Sequence, residues 1–171
     1  MIVKFSIRHN AFIGYMRVIV SLLAVLLLGG GIANAKDRKA VVEKEVTEIG
    51  QDIRDAIISQ DTKRLLLYAK RGITCVDSSV PFKEIKRDLS NPHSQLFLRL
   101  FGSGGAKEYF QKATDQKMRV DFMEVDGKER LDSVCLRYMS SNYGGENWPE
   151  ICLYFANGKW GISEWSFFDC V

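Results

Sequence analysis

Four cysteines carry the most distinctive chemistry of this chain: Cys75, Cys135, Cys152 and Cys170. None of them forms a Cys-x-x-Cys pair, and His93 is the only histidine beyond the N-terminal segment. Zinc sites usually combine such short cysteine spacings with further cysteines or histidines. We therefore predict two disulfides, with no metal and no other cofactor.

The order of the predicted strands favours one of the three possible disulfide connectivities. If the last strands pair around a loop centred on Tyr143-Gly144, Cys135 falls directly opposite Cys152. A bridge between Cys75 and Cys170 would then tie an early segment to the C-terminus. The alternative is that the first pair remains two thiols on one face of the sheet.

Carboxylates on predicted strands are the candidates for acid–base chemistry. Asp121 and Glu124 lie on one strand, Asp132 on the next and Glu164 on the last. The expected pairing puts Glu164 opposite Ile151, on an aliphatic face. A carboxylate that faces an apolar cavity has a raised pKa and can act as a general acid or base. The alternative for Glu164 is a place at the pocket mouth or in an ion pair.

His93 stands beside Ser94 and five residues after Asp88, which invites comparison with a Ser-His-Asp triad. Such a triad requires three side chains that converge, and near neighbours at a helix start do not align in that way. We expect His93 to be an exposed residue of a first helical turn, next to Pro92.

Aromatic residues concentrate in the last quarter of the chain: Trp148, Trp160, Trp165, Phe167 and Phe168. With Tyr68 from the helical half, the tryptophans are candidates for a ligand pocket or a protein-binding patch. The alternative is that most of them belong to the core.

The first 35 residues have the pattern of a signal peptide. Lys4, Arg8 and Arg17 precede an uncharged apolar run, and the segment ends in Ala33-Asn34-Ala35, which predicts cleavage after Ala35. Met16 is a possible true start. The alternative is an uncleaved membrane anchor, although the apolar run is shorter than the roughly 20 residues that span a bilayer.

The net charge of +3 comes from that segment, since it holds three basic residues and no acidic one. The remainder, 36–171, is formally neutral, with its charges interleaved as in Lys36-Asp37-Arg38-Lys39. This distribution lacks the basic patch of a nucleic-acid binder, and no membrane contact is expected after cleavage. The length suits a single domain of about 100–150 residues.

Helical patterns fill the first half. Apolar residues recur every three or four positions from Val42 to Ile57, and Asp61 is an N-cap for a second, well buried helix over Thr62 to Lys70. Pro81 and Pro92 predict two short helices, Phe82 to Leu89 and Pro92 to Phe101, with caps at Ser79 and Asn91. A further helix is expected over Ala106 to Ala113.

The second half predicts an antiparallel meander of three to four strands. Asn157-Gly158 lies between two apolar runs and indicates a tight hairpin. Asp126-Gly127 joins two earlier strands, and a three-residue loop there would pair Val120 with Val134 and Glu124 with Arg130.

Helices followed by an antiparallel sheet predict an α+β fold, with the helices on one face of a curved sheet. Two stretches resemble NTF2-like, cone-shaped α+β domains: Ile49 to Leu65 looks like their first helix and elbow, and Phe155 to Ile162 like their terminal hairpin. The resemblance implies a pocket between helices and sheet. That family includes both enzymes and non-enzymatic binders.

Three functions are consistent with the sequence. The first is an exported, periplasmic or secreted, non-enzymatic domain that holds a small apolar ligand or peptide in the pocket. The second is a protein-interaction module or inhibitor in the cell envelope, which acts through the loop Ser140 to Trp148 and the sheet. The third is a pocket enzyme that uses Glu164.

Overall fold

A computed structural model describes residues 34–70, 72–75, 78–142 and 148–165. The predicted signal segment lies almost wholly outside these ranges, as do Cys170, Phe167 and Phe168 and the centre of the loop before Trp148. No helix in the described ranges combines the length and apolar character that a membrane span requires.

The chain divides into two compact units, Met1–Val41 and Val42–Val171. Of the first unit, the structure describes residues 34–41. There the carbonyl of Asn34 accepts hydrogen bonds from the amides of Asp37 (2.9 Å) and Arg38 (3.2 Å), and a helix begins. The sheet and the remaining helices belong to the second unit.

Five helices and six strands are described. In chain order they are α1 Ala35–Ile58, α2 Thr62–Tyr68, β1 Ile73–Cys75, β2 Ser78–Val80, α3 Phe82–Leu89, α4 Gln95–Phe101, α5 Ala106–Lys112, β3 Lys117–Val125, β4 Lys128–Met139, β5 Glu150–Ala156 and β6 Lys159–Trp165. Strands β3 to β6 form an antiparallel sheet in sequence order, and β1 and β2 form a separate hairpin. The predicted α+β class is confirmed.

The predicted helices are present, but one of them starts at a different residue and another is less buried than we predicted. Asp61 caps α2 by accepting from the amide of Arg64 at 3.0 Å, as predicted, but Leu67 on that helix is 54% exposed and the helix is only half buried. Helix α4 starts at Gln95, because the hydroxyl of Ser94 accepts from the Phe97 amide, whereas Asn91 accepts from the amide of His93.

The prediction that Ser79 caps a helix is also wrong. Ser79 lies in β2, where it pairs with Thr74 of β1. Helix α3 begins after Pro81 without a side-chain cap. Proline is favoured at a helix start because its fixed φ suits the first turn and it has no amide hydrogen to satisfy, so the helix forms without the serine.

Two tight turns set the register of the sheet. Asp126-Gly127 and Asn157-Gly158 have positive φ at both residues, between 52° and 73°, the backbone of a two-residue turn whose twist matches that of the strands. The first turn pairs Glu124 with Glu129, and a bulge of three extra residues in β4, between Arg130 and Val134, then brings Val120 opposite Leu136. The predicted three-residue loop is wrong. The observed partner in β4 differs from the predicted one by two positions for Val120 and by one position for Glu124.

The central pairing agrees with the prediction. Val134 lies opposite Leu153, Leu136 opposite Ile151 and Cys135 opposite Cys152. Alternate residues of these strands face the helices and are fully buried. The helices contribute the other side of one apolar core: Val46, Ile53, Ile57, Leu65, Ile85, Leu89, Leu96, Leu100, Phe101, Tyr109 and Phe110.

Helix α1 approaches the sheet closely at Gly50. A Cβ at this position would lie 2.6 Å from Met118 Sδ and 2.7 Å from Leu136 Cδ1. The buried hydroxyl of Tyr138 donates a 2.8 Å hydrogen bond to the Gly50 carbonyl. Burial raises the pKa of Tyr138 far above its ordinary value, so this hydroxyl keeps its proton.

Substituting Gly50→Ala should destabilise the protein. Alanine is the better helix former, yet its methyl group must displace Leu136 or Met118, and such overpacking costs about 1–3 kcal/mol. We expect a lower urea midpoint for Gly50→Ala, whereas Gln51→Ala, at an exposed position of the same helix, should change it little. Equal midpoints for the two variants would show that this contact does not constrain the packing.

Candidate functional site

The solvent-facing side of the sheet carries the candidate site. One row of residues crosses all four strands in register: Asp121 on β3 pairs with Cys135, Cys135 with Cys152, and Cys152 with Glu164 on β6. Directly paired residues project from the same face of a sheet. This cysteine row therefore places two sulfur atoms between two carboxylates.

Cys135 and Cys152 form a disulfide, which confirms the predicted pairing. Their Cα atoms are 3.9 Å apart, and both residues are buried by their neighbours although they lie on the outer face. The second predicted bridge stays a prediction: Cys75 ends β1, but its side chain is outside the described part of the structure, as is Cys170.

A row of charges runs beside the disulfide. Arg119 lies opposite Arg137, and Arg137 opposite Glu150. The Arg137 guanidinium donates from Nε and Nη2 to Oε2 of Glu150, at 2.9 and 2.7 Å. Asp121 accepts from Arg119 Nε at 2.6 Å and lies 3.9 Å from Arg137 Nη1. The hydrogen bond to Glu150 raises the pKa of Arg137, so Arg137 stays charged and the row is an ion-pair network.

Glu164 does not lie where we predicted. Ser163 is an extra residue in β6, so the register shifts by one between Leu153 and Cys152. Trp165 takes the place opposite Ile151, and Glu164 moves to the outer face, where it is exposed. The apolar surroundings on which its proposed acid–base role depended are absent.

The other strand carboxylates also lie away from the core. Asp132 accepts from Arg130 at 2.9 and 2.6 Å, and this contact lowers the pKa of Asp132. Glu124 is exposed near the turn between β3 and β4. These two strand carboxylates therefore belong to the charged outer surface, and neither faces an apolar pocket.

Exposed apolar side chains accompany the disulfide on this face. Met123 is 45% exposed, with its Sδ 3.6 Å from Cys135 Sγ. Tyr154 is 41% exposed and pairs with Gly161 on β6. We call Met123, Tyr154 and the disulfide the outer apolar patch.

The opposite face of the sheet is filled. Val134, Leu136, Ile151 and Leu153 are 0% exposed. A cavity that admits a ligand would leave accessible surface on the side chains lining it. These side chains have none, so they pack against the helices rather than line a pocket.

Two of the aromatic candidates lie in the core, and the other two donate hydrogen bonds to neighbouring segments. Trp160 and Trp165 are buried in the core, and Trp160 packs on Phe155 with ring centroids 5.2 Å apart. Trp148 is half buried, and its indole Nε1 donates to the Ser140 carbonyl at 3.3 Å. Tyr68 donates to Asp52 at 2.6 Å, which joins α2 to α1.

The Ser-His-Asp alternative finds no support in the geometry. His93 is exposed, as predicted. The hydroxyl of Ser94 donates to the backbone carbonyl of Asp88 at 2.6 Å and accepts from the Phe97 amide, so it caps α4. It makes these contacts with main-chain groups, and none of them aligns it for attack on a substrate.

A cluster that the sequence analysis missed holds the start of the loop after β4. Asp115 accepts from the Ser140 hydroxyl at 2.6 Å, the Ser141 amide at 2.9 Å and the Ser141 hydroxyl. Asn142 donates from Nδ2 to Thr114 Oγ1 at 2.9 Å. We call these five residues the Asp115 clasp. Short polar residues just before β3 and just after β4, at the same end of this strand pair, were its signal, because such side chains often cap turns.

Three donors hold the pKa of Asp115 well below its usual range, with the Ser140 hydroxyl as the largest cause. A carboxylate whose folded pKa is depressed contributes stability above its unfolded pKa of about 3.9, and this contribution is lost as the pH falls toward the folded value. The clasp therefore acts at neutral pH and weakens in acid.

Removing the disulfide should lower the stability of the fold. The bridge joins residues 17 apart, and a closed loop of this size contributes about 3 kcal/mol in the entropic account. We expect the Cys135→Ala/Cys152→Ala variant to lose about that much free energy of unfolding in urea. Unchanged stability in the variant would contradict a bracing role.

Asp115→Asn should lower the urea midpoint at pH 7, and the difference from wild type should shrink as the pH falls below about 4. Asp126→Asn is the control, because asparagine readily adopts the positive φ of this exposed turn residue. A difference for Asp115→Asn that stays constant across this range would show that the carboxylate charge does not matter.

Comparisons with protein-family models, with curated proteins and with solved structures found no match for this chain. The assignment of a function therefore depends on the sequence and the geometry of the chain itself.

Proposed function

We propose that this chain is a non-enzymatic binding domain, exported to the periplasm or beyond, which presents the outer face of its disulfide-braced sheet to a protein partner. The observation that carries the proposal is the contrast between the two faces. The inner face is filled by the helices, whereas the outer face exposes Tyr154 and Met123 beside an ordered ion-pair network.

Export is supported by two independent features. The N-terminal segment has the basic, apolar and small-residue pattern of a signal peptide. The disulfide between Cys135 and Cys152 is of the kind that persists in oxidising compartments and is rare in the cytosol. Together they favour a cell-envelope or extracellular site of action.

The chemistry of the outer face suits a protein partner. Tyrosine, methionine and arginine are enriched at protein interfaces, where an aromatic anchor is typically surrounded by polar contacts. Tyr154 supplies the anchor, and Arg137 is held in place by Glu150, so less side-chain entropy is lost when a partner binds. The Asp115 clasp fixes the start of the neighbouring loop, which could extend the contact.

A small apolar ligand is the second candidate, as the resemblance to NTF2-like domains implies. The order of helices and strands and the Asn157-Gly158 hairpin fit that family. A ligand between α1 and the sheet would, however, have to displace Leu136 and Tyr138, which are packed against Gly50. The fully buried inner face therefore favours the protein partner.

Photo-crosslinking tests the proposal in cells that export the protein. A photoreactive phenylalanine analogue is introduced at Tyr154, and as a matched control at Leu98, an apolar residue of α4 that is 50% exposed. We expect one discrete crosslinked product from position 154 and none from position 98. The crosslinked protein is then identified and purified.

Binding of the purified partner provides the quantitative test. Loss of an aromatic anchor typically costs at least about tenfold in affinity. Tyr154→Ala should therefore weaken binding by about tenfold or more, and Leu98→Ala should leave it within about twofold. Equal effects of the two substitutions, or a retained apolar ligand in native mass spectrometry of the exported protein, would contradict the proposal.

A further inference from the structure

We propose that the reduced form of this protein binds one thiophilic metal ion of the Zn²⁺ class through Cys135, Cys152 and Glu150. Among the residues that the structure describes, these three offer ligand atoms that all lie within 4.8 Å of one another. Their spacing in the sequence conceals the site, because the two cysteines are 17 residues apart and are brought together only by the pairing of β4 with β5.

The disulfide has to open before the ion can bind. A dithiol reductant attacks one sulfur to form a mixed disulfide, and its second thiol then closes a cyclic disulfide. The reductant is oxidised, and Cys135 and Cys152 each become a thiol. Binding of M²⁺ then releases the two thiol protons and forms two metal–sulfur bonds. Metal and disulfide are therefore mutually exclusive states of the same pair.

The backbone already holds the two sulfur ligands at a suitable separation. Metal–sulfur bonds of about 2.3 Å with tetrahedral angles require the sulfurs to be roughly 3.8 Å apart. Cys135 and Cys152 are directly opposed, so rotation of their side chains can reach this separation without movement of the strands. Two thiolates are soft ligands that select Zn²⁺ or Cu⁺ over Mg²⁺ and Ca²⁺.

Glu150 supplies the third ligand from the same face of β5. Its Oε1 lies 4.0 Å from Cys152 Sγ, while Oε2 accepts both hydrogen bonds from Arg137. Arg137 thus orients the carboxylate in the way that partners of metal ligands usually do.

The charge around the pair also favours a cation over two bare thiolates. Asp121 and Glu164 end the cysteine row on its two sides and are both acidic. An ion of charge +2 offsets the repulsion between the two thiolates and Glu164, whereas Asp121 already has Arg119 and Arg137 as partners. Either Glu164 or a water molecule can complete a four-coordinate site.

Metal titration of the full chain tests the proposal. Zn²⁺ is added to the oxidised protein and to the phosphine-reduced protein in competition with a chromogenic chelator. We expect one equivalent to bind to the reduced protein and none to the oxidised protein. Co²⁺ in place of Zn²⁺ should give the sulfur-to-metal charge-transfer absorption of a two-thiolate site.

Variants assign the ligands. Cys135→Ser and Cys152→Ser should each abolish binding, Glu150→Gln should weaken it by about tenfold or more, and Glu124→Gln, an exposed carboxylate on β3, should leave it unchanged. The Cys75→Ser/Cys170→Ser variant should bind as the wild type does. If the reduced apoprotein unfolds, Zn²⁺ should restore its circular dichroism spectrum, and should fail to do so with Cys152→Ser.

Three results would overturn the proposal. One is the absence of stoichiometric Zn²⁺ binding to the reduced wild type. Another is binding that survives Cys152→Ser, and the third is binding that follows Cys75 and Cys170. None of these readouts depends on a protein partner, so the test is independent of the proposed function.

Discussion

The close approach of α1 to the sheet at Gly50 is the constraint on which the rest of the structure depends. Only a residue without a side chain lets the helix backbone come near enough for Tyr138 to donate to the Gly50 carbonyl. At that distance, Leu136 packs directly on the helix, and the central side chains of the inner face are fully buried. Tyr154 and Met123 are exposed on the other side of the sheet.

The division between the faces follows from the two-residue period of strands. Once Val134, Leu136 and Tyr138 face the helices, the residues between them must face outward. Cys135 and Arg137 are therefore placed opposite Cys152 and Glu150. The disulfide and the ion-pair network are thus consequences of the same register that fills the core, and a slip of one residue would exchange the two faces.

The strands and hairpins could be predicted, because turn residues and the alternation of apolar with polar residues both indicate them. Asn157-Gly158 specified its hairpin, and alternation in β4 and β5 was enough to pair the cysteines. Glu164 was misplaced because the extra residue Ser163 interrupts the alternation, and nothing in a local pattern marks which residue a strand will bulge at. The Asp115 clasp joins segments about 25 residues apart, so short polar residues that indicate turns could not show that these segments contact one another. The proposed metal ligands were hidden for a related reason, since spacing rules assume ligands on one short loop.

The position of the disulfide has a topological consequence. Cys135 lies before the connection between β4 and β5, and Cys152 lies after it. The backbone from one cysteine to the other and the sulfur bridge together form a closed ring. A protease that cut the chain once within this ring would leave the two pieces covalently joined. They would separate only when the bridge was reduced, so cleavage at this connection would not by itself detach β5 and β6 from the sheet.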